Sequence, residues 1–279
     1  MRIDAHQHFW RLKRGDYGWL TPDLAAIYRD FGPSDLKPLM EAQGIGGTIL
    51  VQAAPTLAET RYMLGLARET PWVRGVVGWA PLDAEEVGSV VGELAKDKLL
   101  VGLRPMLHDL ADDRWVLRPD VAVGLTAMQE NGLVLDALVR PQHLPHILRL
   151  LERHPDLKVV IDHAAKPAIR QGGFQGWADD MAAIADASQA HCKVSGLLTE
   201  AEPGAGAEAL RPYVEHLLAV FGPSRLLWGS DWPVLTLAAP YAAWWAMTEE
   251  LLSSLNEAER AAILGGNAQS LYLSNCGRH

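Results

Sequence analysis

The sequence predicts an α/β fold, a (β/α)8 TIM-type barrel in one domain spanning 1–279. Three observations predict it. Short β-branched runs alternate with amphipathic helical stretches along the chain, eight such runs can be counted, and polar residues suited to chemistry stand at the ends of several runs. Residues as far apart as His6 and Asp231 meet at one rim only if the sheet closes on itself.

Taken in order, the strands are expected near 2–5, 46–53, 74–80, 99–103, 132–138, 157–162, 192–196 and 225–229. Helix entries are signalled by Ser34-Asp35, Thr56, Asp83 and Pro119. Residues 9–32 form a long first connection, rich in Trp, Tyr, Asp and Gly, that reads as a lid or wall over a site. Gly204-Ala205-Gly206 reads as a flexible connection. After the eighth strand, Tyr241 to Ser253 reads as one helix and 256–273 as a C-terminal helix that opens on Asn256-Glu257-Ala258-Glu259 and closes the outer ring. A doubly wound open sheet would show the same alternation, but its glycine-rich phosphate turn is replaced here by His6-Gln7-His8-Phe9-Trp10.

With 279 residues, 49% hydrophobic and 21% charged, the chain can bury a sizeable single core. Its 25 basic and 34 acidic residues leave a net charge of −9, which argues against a nucleic-acid partner. Met1-Arg2-Ile3-Asp4 begins a strand rather than an export leader, and apolar runs such as Leu157 to Ile161 fall short of the ~20 residues of a membrane span. A cytoplasmic protein acting on a small molecule, without membrane partner, is expected. Monomer and homodimer both stay open. The two cysteines, Cys192 and Cys276, suggest no disulfide framework.

Candidate chemistry gathers at the strand ends. His6 and His8, two residues apart on a strand, share a side and can bind a metal or donate to a carbonyl. Asp231 follows the apolar run Leu226-Leu227-Trp228, which sets its carboxylate at the C-terminal rim; an N-cap role would fit it too. His163 ends the sixth strand as a candidate acid or ligand, and Arg104 ends the fourth as a fixed positive fork for substrate oxygens. Lys166 is a substrate-binding candidate, and Asp136, Lys193 and Ser195 are secondary ones. Ser195 lacks a nucleophile elbow, and Cys192 reads as a small buried residue. Trp10, Trp19 and Trp232 flank the site and could stack on a sugar ring, whereas Trp244 and Trp245 read as core.

With Asp4-Ala5-His6-Gln7-His8-Phe9-Trp10, then Ile161-Asp162-His163 ahead of Lys166-Pro167, then Gly229-Ser230-Asp231-Trp232-Pro233, the chain resembles the amidohydrolase superfamily of the amidohydrolase-2 type. Within it, the resemblance is to the sugar-lactonase branch, the L-fuconolactone and L-rhamnonolactone hydrolases. The resemblance implies a carboxylic-ester hydrolase that opens a sugar lactone to the aldonic acid. Asp231 would activate water, His6, His8 and His163 would act beside it, and Arg104, Lys166, Trp10 and Trp232 would contact substrate. Many members bind two metals through a Lys or Glu on strand four and a His on strand five; Arg104 and Asp136 stand there in this chain, against a binuclear site. One Zn²⁺ on His6, His8 and Asp231, with His163 nearby, and metal-free attack remain as two options. The alternatives are a metal-dependent decarboxylase or hydratase of the same superfamily and a barrel that binds a sugar acid without turnover.

Overall fold

The computed structural model describes residues 1–274. Eight parallel strands pair in chain order: β1 (Arg2–Gln7), β2 (Ile45–Val51), β3 (Val73–Gly78), β4 (Leu100–Leu103), β5 (Val134–Ala137), β6 (Val159–Ile161), β7 (His191–Val194) and β8 (Leu226–Trp228). The ring closes through a bridge between Gln7 and Trp232, where Asp231 N–H donates to His6 O at 2.8 Å and His8 N–H to Trp232 O at 2.7 Å. The two ends of the chain therefore meet, and the polar residues of the first and last strands share one rim. Strands β4 to β8 are shorter than the apolar runs that predict them: β4, β5 and β6 begin later in the run, β7 ends earlier, and β8 is trimmed at both ends.

Around the strands lie α1 (Pro33–Ala42), α2 (Leu57–Glu69), α3 (Val87–Leu94), α4 (Pro119–Glu130), α5 (Leu144–Arg153), α6 (Gln175–Ala187), α7 (Ala207–Phe221) and α8 (Tyr241–Leu251). Thr56 caps α2 by accepting from Glu59 N–H at 3.0 Å, and Pro119 is the first residue of α4, where its missing N–H costs nothing. Asp35 lies one turn into α1 and accepts from Gly32 N–H at 2.9 Å. Asp83 does not start α3; it sits four residues ahead and accepts from Trp115 Nε1 at 3.1 Å.

The C-terminal helix corrects the expectation. It is two helices, α9 (Glu257–Ala261) and α10 (Asn267–Leu273), separated by a wide turn over Ala262–Gly266 in which Gly265 is extended. Gly265 lies so close to the chain start that a Cβ there would stand 2.4 Å from Met1 O. This approach swings α10 beneath the barrel instead of alongside it: Ala268, Leu271 and Tyr272 join Ile3, Ile49 and Val77 in the inner core. The helix is a floor. A larger apolar layer, with Trp244 and Trp245 in it, fills the space between strands and outer helices.

Residues 9–32 are a wall rather than a free lid. Trp10 and Phe31 pair across its base, Tyr17 OH donates to Glu59 at 2.8 Å, and Trp19 Nε1 donates to Ala53 O at 2.7 Å. Gly204-Ala205-Gly206 leads directly into α7. Cys192 is buried and unpaired, and Cys276 lies outside the described residues. Among the described residues, no helix is long and apolar enough to cross a membrane.

Candidate active site

The inward aim of His6 and His8 depends on a bulge. Asp4 pairs with Thr48 and Gln7 with Leu50, so β1 spends three steps where β2 spends two. One extra residue reverses the facing of a strand. Ile3 and Ala5 accordingly join the inner core below, while His6 and His8 come to the mouth above. Asp4 braces the junction by accepting from Ser230 N–H at 2.9 Å and Tyr241 OH at 3.0 Å.

His163 reaches the same point by another device. After β6 the residues His163, Ala164, Ala165 and Lys166 all take left-handed backbone angles, φ between 51° and 59°. Such a run is costly for non-glycine residues and persists only where the surroundings hold it. It fits only because Gly196, itself at φ 62°, faces it without a side chain; a Cβ there would stand 2.6 Å from His163 Nδ1. Asp231 is also left-handed, at φ 58°.

Three imidazoles converge on one carboxylate oxygen. Asp231 Oδ1 lies 3.2 Å from His8 Nε2 and 3.8 Å from both His6 Nε2 and His163 Nε2. The Nδ1 of His8 is 2.8 Å from Val51 O, an acceptor only, so that nitrogen carries the proton. The Nδ1 of His163 is 2.9 Å from Ser195 Oγ. Burial by itself would raise the Asp231 carboxyl, but His163, the His8 hydrogen bond and His6 outweigh it and hold the group well below the usual carboxylate range. Burial pushes His163 down to about 4, so at neutral pH an ionised carboxylate faces a neutral ring.

Arg104 stands behind this cluster. One guanidinium nitrogen donates to Gln52 O; the other lies 3.4 Å from His6 Nε2 and 3.5 Å from Asp162 Oδ2. His6 is pushed down by burial and then by Lys193, whose ammonium lies 3.1 Å from its Nδ1. Lys193 continues to Asp162 at 3.0 Å and to Asp136 at 2.5 Å, and Tyr272 OH of α10 closes the chain on Asp136 at 2.9 Å. Asp136 and Lys193 therefore lie in the barrel interior beneath the mouth.

Of the expected residues, His8, Arg104, His163, Lys166 and Asp231 line one cavity of about 210 Å³, with His6 directly against it. Lys166 is paired with Glu200. Trp10 and Trp232 do not line it. Trp10 is fully buried, packed on Trp19 and Phe31 with its Nε1 on Arg29 O, and Trp232 is packed between Phe9 and Phe31. Their indoles are the backing of the wall, and Trp19 takes the cavity face instead. Asp162, Gln52 and His108 carry weight that sequence reasoning did not assign to them. A carboxylate at the end of an otherwise apolar run was the signal for Asp162. His108 lines the cavity, is pushed down to about 3 by burial and then by Arg104, and has a buried Nδ1 without a hydrogen-bond partner among the described residues.

A single metal ion fits this donor set. His6, His163 and Asp231 each offer a ligand atom within 4.8 Å of one another, and imidazole nitrogen with carboxylate oxygen is an ordinary zinc environment. His163 enters that group where His8 was expected. His8 Nε2 and Asp231 Oδ1, both lone-pair atoms when the ring is neutral, need a proton or a cation beside them at 3.2 Å. Among the described residues no second group of metal-binding side chains stands beside it: Arg104 brings a fixed positive charge, and Asp136 is turned away to Lys193.

The amidohydrolase family pattern matches residues 3–273. A protein named L-fucono-1,5-lactonase from Burkholderia ambifaria is 46% identical over 275 residues, covering 97% of this chain and 95% of that one. Another of that name from Burkholderia multivorans is 38% identical over 284 residues, covering 98% and 96%. A crystal structure of a Burkholderia multivorans amidohydrolase with bound zinc superposes with a TM-score of 0.92 at 39% identity, covering 98% of this chain and 99% of the other. A pattern that runs from the first strand to the floor helix, through the histidines and aspartate just described, leaves one assignment: the chain belongs to the amidohydrolase family.

Proposed function

We propose that this protein hydrolyses a sugar lactone of the L-fucono-1,5-lactone type to its aldonic acid, with Asp231 as the base. The observation that carries the reading is the convergence of His6, His8 and His163 on one oxygen of an ionised, buried Asp231 at the wall of a small cavity. Relatives named L-fucono-1,5-lactonase over nearly the full chain supply the substrate class. Neither the decarboxylase or hydratase alternative nor the binding-only alternative gains support from these relatives.

In this reading a water beside Asp231 gives up a proton to the carboxylate as its oxygen bonds to the lactone carbonyl carbon. The negative charge that develops on the carbonyl oxygen is met by Arg104, which Gln52 and Asp162 hold in place. Collapse breaks the ring C–O bond, and the proton on Asp231 returns to the leaving alkoxide, directly or by way of His163. Lys166, Trp19 and His108 bound the rest of the cavity and would take the sugar hydroxyls. A bound zinc would be held by His6, His163 and Asp231 with His8 adjacent, and would supply Lewis-acid polarisation of the carbonyl.

The test is a pH-indicator assay over a panel of sugar lactones, run on enzyme treated with chelator and on enzyme resupplied with zinc. The expected result is fastest turnover of L-fucono-1,5-lactone. Absence of hydrolysis of any sugar lactone under both conditions would overturn the reading.

A further inference from the structure

A second cavity adjoins the catalytic one and is the larger of the two, about 490 Å³ against about 210 Å³. Trp19, Met106 and Asp109 line both, so the two meet at these residues along the segment that follows Arg104. Small-molecule sites usually offer ~300–1,000 Å³. The catalytic cavity alone falls below that range and suits a single small ring.

The chemistry of the second cavity is specific. Trp79, Trp115 and Leu82 wall it beyond the shared residues, Asp16 and Asp83 stand on it, and no Lys, Arg or His lines it. Two of its indoles are held before any ligand arrives, Trp19 through Ala53 O at 2.7 Å and Trp115 through Asp83 at 3.1 Å. Indole faces accept the C–H face of a sugar ring, and carboxylates accept from its hydroxyls. Arg14 pairs with Asp16 at 2.6 Å and Arg118 stands 4.0 Å from Asp83, but neither arginine is among the lining residues, so an anionic group in the cavity meets the carboxylates first and is disfavoured.

On the lactonase reading above, we propose that this cavity is a subsite for a neutral glycosyl unit carried on the lactone ring, so that the enzyme opens lactones of disaccharide aldonic acids as well as monosaccharide ones. The wall sets the preference: a neutral second sugar is accepted, and a uronic acid or an alkyl chain in its place is not.

The experiment compares kcat/KM for four substrates that share one lactone ring: unsubstituted, bearing a neutral hexosyl group, bearing a glucuronosyl group, and bearing an alkyl chain of similar length. Leu110 lines only the second cavity, and Leu110→Trp narrows it; Trp79→Ala removes one of its faces. The hexosyl lactone is expected within tenfold of the unsubstituted one, and the glucuronosyl and alkyl lactones at least tenfold below the hexosyl. Either variant that melts like the parent should lower the hexosyl value at least tenfold and leave the unsubstituted value within twofold. Failure to turn over the hexosyl lactone while the unsubstituted one is opened, an alkyl lactone preferred to it, or equal losses on both substrates in the variants would overturn the proposal. If the parent leaves even the unsubstituted lactone intact, the lactonase reading is what falls. The subsite is then judged by whether a neutral disaccharide raises the melting temperature of the parent and not of Leu110→Trp; no rise in the parent overturns it.

Discussion

The mouth and the floor of this barrel each bury a carboxylate among polar partners, and only the one at the mouth lines the cavity described above. At the floor, Asp136 is enclosed by Lys193 at 2.5 Å and by Tyr272 OH at 2.9 and 3.0 Å, all on the same chain and all without solvent access. Nothing is left to bind. At the mouth, Asp231 meets three rings that stand beside a cavity, with His108 Nδ1 and Arg104 Nε buried and without protein partners among the described residues. Burial of charge is common to both regions; at the mouth the buried groups stand beside a cavity, and unpartnered polar atoms beside a cavity invite a ligand.

The sharpest way to break the contrast is to neutralise each carboxylate system in turn. Asp231→Asn is expected to lower kcat/KM about 10³-fold in a protein that still folds, with a modest loss of thermal stability because the ionised carboxylate is favoured by its surroundings; loss of a general base is worth ~10²–10⁴. Parental turnover by a folded Asp231→Asn protein would remove Asp231 from the reaction. Lys193→Met, at the floor, strands Asp136 without its cation and leaves Asp162 with the Arg104 cation alone, at 3.5 Å. Urea unfolding should then register a loss of about 3–5 kcal/mol, partly restored by adding Asp136→Asn. Full stability in Lys193→Met would mean that the interior pair is not structural.

Smaller changes sharpen the contrast. Arg104→Lys keeps the charge but loses the planar fork that spans Gln52, His6 and Asp162, so steady-state kinetics should give roughly a 10–100-fold drop in kcat/KM with native circular dichroism. The smallest effect is expected from His191, which opens β7 at the floor end and is pushed down to about 4 by burial and then by Arg225. Its folded form resists the proton that the unfolded chain takes up near pH 6.5. Its contribution is therefore full above that pH and is lost as pH falls toward 4. In His191→Gln the decline in stability between pH 7 and pH 5 should be shallower by about 1–2 kcal/mol; an identical decline would show that the ring titrates freely.

Some of this was legible from residue order. Alternating apolar runs located eight strands to within a few residues, and the His6, His8, His163, Arg104 and Asp231 positions all fell at strand ends that the barrel brings to one mouth. Other features were not legible. Trp10 and Trp232 sit beside site residues in sequence, yet their rings turn into the packing of the wall, and no local pattern distinguishes a ring that faces a cavity from one that backs it. Asp162 lies next to His163, but its role as the hinge between Lys193, Arg104 and His6 exists only across four strands.

By itself the sequence determined the fold class and the set of polar strand ends, because periodicity and strand-end chemistry are properties of neighbouring residues. Tertiary structure alone decided which way those ends point. The bulge in β1, the left-handed turn accommodated by Gly196 and the descent of α10 beneath the barrel are each set by contact with a distant segment: β2, β7 and the chain start. The facing of a side chain is an outcome of packing between segments remote in sequence, and it was facing that separated the carboxylate lining the cavity at the mouth from the one enclosed at the floor.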